Sequence, residues 1–358
     1  MSSLVPPRSV LIKPRQCPQD MINMKLIIFF IFCGVKATAS TDRDEDHHSK
    51  LTELELEQFL EVFDLPRLED PVEKKKRAEI LKENQQKVLE ANQAFLAGNQ
   101  SWREEINEFS HLTEEEFLAS HTGLGLAPHN DSLASMASLA SLHTEEEVEE
   151  LGHQGSRLPD AYSSVSEHLI GPVKHQRCGT CQLFATLALV EICHAKTFHH
   201  RAAYSEQQVL DCAYNGRDLK GCAGAPYEGY ALWLQRSRLP LVSQRTYPTP
   251  RRAGFSGHCH KRLRPLRPRV AVTKAFHSSS RDGDGRRSLL ASERKMKRLV
   301  FERGAVGTTL ATTNFGRYKH GVFAGCPERE YYSRDHMVTV VGYGRESGVD
   351  YWLVRNSW

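Results

Sequence analysis

The tightest constraint on this chain is a cysteine set at the mouth of a long apolar run. Gly171 to Val190 reads GPVKHQRCGTCQLFATLALV, so a Gly-containing turn hands over to a helix-favouring stretch with Cys181 at the junction. A thiol at a helix amino terminus faces unpaired backbone N–H groups and the positive end of the macrodipole. Both favour thiolate, which predicts a lowered pKa and a nucleophile at neutral pH. Such a nucleophile needs a base and a group that orients the base. The far end of the sequence offers both: His336 opens the β-branched stretch HMVTVVGY, and Asn356 sits near the close of YWLVRNSW. As adjacent antiparallel strands, these would let Asn356 fix one imidazole nitrogen and leave the other for Cys181.

The chain has 358 residues, which suggests two or three domain-sized units. Seven of its nine cysteines follow Gly155, so the disulfide-bearing fold is expected in the carboxy-terminal half. Thr41 to Arg157 carries 27 acidic and 11 basic side chains, whereas Leu158 to Trp358 carries 16 and 31. Parts with net charges of −16 and +15 either attract each other at low salt or stand as two separately solvated surfaces. With 40% apolar and 25% charged residues, the chain is neither collagen-like nor wholly disordered, and it has no apolar run of bilayer-spanning length.

Along the chain, Met21 to Ser40 has Lys25, an apolar core from Leu26 to Val35 and the small-residue pattern Ala37-Thr38-Ala39. It reads as a secretory signal peptide preceded by an extension, with residues 1–39 as one region. Thr52 to Phe63 and Val72 to Phe95 are charged, helix-favouring stretches; in the second, Ile80, Leu81, Val88 and Phe95 fit one face. Leu124 to Gly155 reads as a linker. Arg251 to Arg269 has seven basic residues, no acidic ones and interrupting prolines, so a surface loop is expected. It lacks the aromatic interleaving of a nucleic-acid patch, and no nucleic-acid partner is expected.

These segments resemble the papain-like cysteine protease family, which includes the cathepsins. Cys178-Gly179-Thr180-Cys181 is similar to the family's nucleophile signature. DHMVTVVGYG and YWLVRNSW are similar to its histidine and asparagine regions, and YSEQQVLDC and GCAGA to two further blocks. Glu73, Arg77, Leu81, Asn84, Val88 and Asn92, followed by INEF and LTEEEF, resemble its inhibitory pro-segment. The resemblance implies an α+β fold of a helical and a β-barrel-like domain over residues 158–358, a helical pro-segment over 40–123 and a processing linker over 124–157. It implies that strands seen in other members after Trp358 are missing here and that Cys326 has no disulfide partner.

The resemblance assigns roles residue by residue. Cys181 would attack the scissile carbonyl, His336 would shuttle the proton, Asn356 would orient His336, and Trp358 would shield that hydrogen bond. Gln176 would donate, beside the Cys181 N–H, into the oxyanion hole. Gly179, Gly224, Ala225 and Asp335 would line the substrate cleft, with Gly224 pairing its backbone with an extended peptide. Disulfides Cys178–Cys222 and Cys212–Cys259 are implied. No cofactor or metal is implied; the partners would be peptide substrates and the chain's own pro-segment, in the secretory pathway, lysosomal or extracellular.

Four departures stand out. Gln182 replaces the aromatic residue after the nucleophile, Ala225 replaces a glycine that would be needed if its φ were positive, Arg177 alone separates Gln176 from Cys178, and LPDAYSSVSEHL lacks the usual Asp-Trp-Arg. They keep open a catalytically inactive homologue acting as a binding or regulatory protein, and an inhibitor built from residues 41–120. A thioredoxin-type reading of the CxxC needs an entering strand, against which Gly171-Pro172 argues; zinc binding fits an oxidising compartment badly. Cys193 is expected to pack as a small apolar residue, and the His47-His48 and His199-His200 pairs to be exposed.

Overall fold

The computed structural model describes residues 9–12, 25–26, 51–123, 157–250, 258–260, 263–266, 278–279, 285–324, 335–346 and 348–358. The leader core after Leu26, the linker, Cys326 and most of the 251–269 loop lie outside them.

In chain order the elements are β1 (Ser9–Ile12), β2 (Lys25–Leu26), α1 (Leu56–Val62), α2 (Pro71–Leu96), β3 (Trp102–Glu104), α3 (Glu114–His121) and β4 (Tyr162–Ser163), then α4 (Cys181–Phe198), α5 (Glu206–Ala213), α6 (Gly229–Ser237), β5 (Ser278–Ser279), α7 (Gly285–Arg303), β6 (Val306–Leu310), β7 (Tyr318–Phe323), β8 (His336–Glu346) and β9 (Val349–Arg355). The architecture is α+β, as expected. A seven-stranded sheet runs β3-β7-β1-β9-β8-β4, with β6 also on β8.

The expected helical pair at the amino end is α1 and α2. Asp70 caps α2, accepting from the Val72 N–H at 3.0 Å, and Pro71 fits its first turn. The buried stripe of α2 is Leu81, Asn84, Gln85, Val88 and Asn92, not the Ile80–Phe95 face alone. Its amides are buried because the following chain completes their hydrogen bonds. Asn84 donates to the Ser110 and Leu112 carbonyls at 2.9 and 3.0 Å, and Asn92 exchanges two 3.0 Å bonds with Glu104. Thr113 and Glu116 form a capping box on α3, and Arg77 binds the Glu116 carboxylate from α2. Sequence motif and tertiary glue are thus the same residues.

The carboxy-terminal half holds two cores. One packs α4, α5 and α6 around Leu187, Ile192, Tyr204 and Val209; the other packs α7 against the sheet through Leu299, Val300, Val338, Val340 and Trp352. Nine consecutive residues of β8, from His336 to Gly344, are buried, because the strand is covered on both faces. Met337 and Val341 face the helical side, while Val338 and Val340 face α7.

Amino-terminal segments join this sheet at two places. β3 pairs antiparallel with β7, and β1 lies between β7 and β9, parallel to the first and antiparallel to the second. Lys25–Leu26 pairs antiparallel with Ser278–Ser279 in a separate two-stranded sheet. The opposite charges also meet: Arg317 bonds Glu104 at 2.8 Å and lies 3.8 Å from Glu114, and Lys319 lies 3.9 Å from Glu105. Among the described residues, no helix is long and apolar enough to cross a membrane.

Candidate active site

Cys181 is the first residue of α4, and Thr180 ends the turn before it. The Cys178–Cys222 disulfide ties this turn to the Gly221–Ala223 segment, and Cys212–Cys259 closes the second expected bridge. The thiol is fully buried and packs with Ala185 and with Met337, the neighbour of His336. Its pKa is pushed up to about 11, not down. Burial outweighs the backbone N–H groups of Met337, Gly123 and Gln182, which favour thiolate; helix-terminus reasoning omitted the segment lying over the sulfur.

His336 opens β8, and Asn356 directly follows β9, whose last residue Arg355 pairs with Thr339 of β8. His336 Nε2 meets Asn356 Oδ1 at 2.8 Å, while Nδ1 is buried without a hydrogen-bond partner. With Asn356 Oδ1 as acceptor, Nε2 carries the proton and Nδ1 presents a lone pair. Trp358 stacks on the imidazole with centroids 4.0 Å apart, covering the His336–Asn356 bond. Burial holds His336 down to about 3, against the raising effect of Asn356, so thiol and imidazole are both neutral in this state.

Gln176 is fully buried, and its carboxamide is fully used. Nε2 donates to the His121 carbonyl at 2.8 Å and the Cys178 carbonyl at 2.9 Å, while Oε1 accepts from the Ser357 hydroxyl at 2.5 Å. Trp358 Nε1 reaches the same His121 oxygen at 3.2 Å. The expected oxyanion donor is therefore taken by a carbonyl of the amino-terminal segment. The short Gln176–Cys178 spacing is accommodated by a direct hydrogen bond between the two residues.

That segment continues across the cleft. Gly123 donates to the Asp335 carbonyl at 3.3 Å on one wall, and its own carbonyl accepts from the Ala225 N–H at 3.0 Å on the other. A Cβ on Gly123 would lie 2.0 Å from the Gly179 carbonyl oxygen, so only glycine threads this gap. Toward this segment the backbone donor is Ala225, next to the expected substrate-pairing residue Gly224. The positive φ of 94° belongs to Gly224, and Ala225 has no such strain, so its Cβ costs nothing in backbone conformation. Asp335 bonds the Thr312 hydroxyl at 3.0 Å, and burial raises its carboxyl to about 6.

Two further features escaped the sequence. Gln182 is fully buried and donates to the Ala225 carbonyl at 2.8 Å and to the Gly123 carbonyl. Behind the site, Lys174 reaches Glu191 at 2.5 Å and Glu206 at 2.6 Å, and Arg355 lies 3.9 Å from Glu191, all four nearly buried. Nothing in one-dimensional spacing links those four residues. The expected packing of Cys193 is corrected: it is exposed, because it falls on the solvent side of α4. His199 and His200 are exposed as expected, though His200 Nε2 lies 3.0 Å from His194 Nε2.

The sequence profile of papain family cysteine proteases matches residues 158–358, and that of the cathepsin propeptide inhibitor domain matches residues 62–117. Fruit bromelain of Ananas comosus is 28% identical over 350 residues, covering 94% of this chain and 85% of that protein. A recombinant stem bromelain precursor has a TM-score of 0.61 at 25% identity, over 84% of this chain and 86% of that one. Digestive procathepsin L 3 of Tenebrio molitor shares the fold with a TM-score of 0.61 at 22% identity, over 89% and 90% of the two chains.

Proposed function

The chain belongs to the papain family of cysteine proteases and is a protease precursor with an inhibitory propeptide domain; on that premise we propose a secretory-pathway endopeptidase zymogen, lysosomal or extracellular, that hydrolyses peptide bonds through Cys181, His336 and Asn356. The observation that carries the reading is the 2.8 Å His336 Nε2–Asn356 Oδ1 bond, with Nδ1 left free beside the residue that packs on Cys181. The pro-segment of 40–123 occupies the cleft, the linker of 124–157 is cut on activation, and the leader of 21–39 directs export.

Removal of the pro-segment rehydrates the site and frees the donor of Gln176. His336 Nδ1 then takes the Cys181 proton while sulfur attacks the peptide carbonyl carbon. The oxygen gains the negative charge and is held by the Gln176 amide and the Cys181 N–H, a contribution worth about 3–4 kcal/mol in other hydrolases. The imidazolium returns its proton to the leaving amine as the C–N bond breaks, giving a thioester. Water, deprotonated by His336, releases the acid and restores the thiol. Asn356 keeps the imidazole in the required orientation and tautomer throughout.

The test uses the full chain, processed at acidic pH, and a thiol-directed epoxide such as E-64, with Cys181→Ala as control. Peptide hydrolysis together with labelling confined to Cys181 supports the reading. Labelling that survives Cys181→Ala overturns the nucleophile assignment. Absence of labelling in folded, processed protein favours the inactive homologue.

A further inference from the structure

We propose that Gln182 binds the substrate main chain: its carboxamide donates to the peptide carbonyl that seats against the Ala225 N–H. The proposal deepens the endopeptidase reading and rests on it. Gln182 follows Cys181 on the first turn of α4 and is fully buried. Its amide nitrogen has two hydrogens. One holds the Ala225 carbonyl at 2.8 Å, which fixes the enzyme's own cleft wall; the other goes to the Gly123 carbonyl, which belongs to the pro-segment. The same Gly123 oxygen accepts from Ala225 N at 3.0 Å, so two donors converge on one backbone carbonyl.

The orientation of the carboxamide is set by its surroundings. Two carbonyl oxygens face the nitrogen, and turning the group over would set oxygen against oxygen. Gln182 Oε1 accordingly stays buried without a partner, which marks the nitrogen end as the working end. The occupant seen here leaves on activation and takes no enzyme atom with it. The second amide hydrogen then points into the cleft at the height of the Ala225 N–H, where an extended peptide presents its next carbonyl. An aromatic residue at position 182 has no carboxamide to span both carbonyls. The donor recognises a backbone carbonyl and is indifferent to the side chain attached to it. The substrate class it favours is a peptide extended upstream of the scissile bond over a single acylated residue.

The test compares wild type, Gln182→Leu and Gln182→Glu. In the full-length zymogen, iodoacetamide reaches Cys181 only when the pro-segment lifts; Gln182→Leu is expected to speed that alkylation by two- to tenfold, the range of one net hydrogen bond. In the processed enzyme, the ratio of kcat/KM for an extended peptide amide to that for a single-residue acyl ester is expected to fall by a similar factor in Gln182→Leu. Gln182→Glu is expected to recover part of that ratio as pH falls and its carboxyl becomes a donor, which a purely structural role would not produce. An unchanged ratio in Gln182→Leu overturns the proposal, even if zymogen alkylation accelerates. If wild type hydrolyses neither substrate, the endopeptidase reading fails separately, and unchanged zymogen alkylation in Gln182→Leu then overturns the Gln182 contact itself.

Discussion

The carbonyl oxygen of His121 accepts from Gln176 Nε2 at 2.8 Å, so a residue of the pro-segment sits on the group assigned to stabilise the oxyanion. Inhibition here is occupation of a donor as well as coverage of a thiol.

In the covered state Cys181 is held near 11 and His336 near 3, so neither carries charge at neutral pH. A raised thiol pKa means that thiolate is disfavoured while the pro-segment is seated and gains as pH rises above the ordinary value of 9. Alkylation of Cys181 in the intact zymogen should therefore climb through the alkaline range, and processing should move the profile to lower pH. A neutral-range titration in the intact zymogen would contradict the burial argument.

His121 couples the seat to acid. Its ring stacks with Phe117 and lies against Phe109, with His175, Glu108 and His111 nearby, and Ser120 Oγ is 2.8 Å from Nδ1. Burial holds it down to about 4, with His175 adding to the effect. Because its pKa is depressed in the seated state, stabilisation is complete above the ordinary value of 6.5 and is lost as pH falls toward 4. His121→Phe keeps an aromatic ring and should flatten the pH dependence of pro-segment release, measured as zymogen processing rate between pH 7 and pH 4.

Glu116 behaves in the opposite sense. Hydrogen bonds from Arg77 first, then Lys76, hold it down to about 2. Its contribution is present above the ordinary carboxylate range and is lost only as pH falls toward 2, so this bond survives the acid that releases His121. Glu116→Gln should loosen α2 from α3 without shifting the acid midpoint of release. A moved midpoint would place the acid trigger at Glu116.

Asn356→Ala should lower kcat by roughly 10²-fold or more, since the imidazole loses its orienting partner. Iodoacetamide should still reach Cys181 in the processed form. Retained kcat would remove Asn356 from the mechanism.

The ion cluster behind the site makes a stability prediction. Lys174, Glu191, Glu206 and Arg355 are each at most 9% exposed at the side chain, and they join the helical core to the sheet. Removing one partner leaves an uncompensated buried charge, so Lys174→Met should destabilise the chain by about 3–5 kcal/mol. Urea denaturation of the full chain measures it; a loss under 1 kcal/mol would show the cluster to be solvated.

Much of the site was legible in the sequence because its residues lie at element ends that local pattern can locate. His336 opens a β-branched strand, Asn356 follows another, and Cys181 starts an apolar helix, so antiparallel pairing alone relates two of them. The two disulfides followed from family resemblance, not spacing. What stayed hidden depends on contacts between distant segments. The thiol pKa turned on burial, which outweighs the backbone N–H groups of Met337, Gly123 and Gln182, and Ala225 meets the occupant because the Gly224 N–H is already held by the Gly221 carbonyl. Gln182 looked like a defect until its amide was seen to lie between two carbonyls. Cys193 was misjudged because an apolar helix still has one face toward solvent.

Among the described residues, both neighbours of β7 in the sheet, β3 and β1, come from the first 104 positions of the chain. β1 lies ahead of the proposed leader, whereas β3 lies in the proposed pro-segment, so the β3 ladder is the one an exported precursor keeps. A polypeptide beginning at the peptidase half would have to leave that edge of β7 without the β3 ladder. The segment that crosses the cleft is therefore also stitched into the sheet, so lifting it away uncovers a strand edge as well as a thiol.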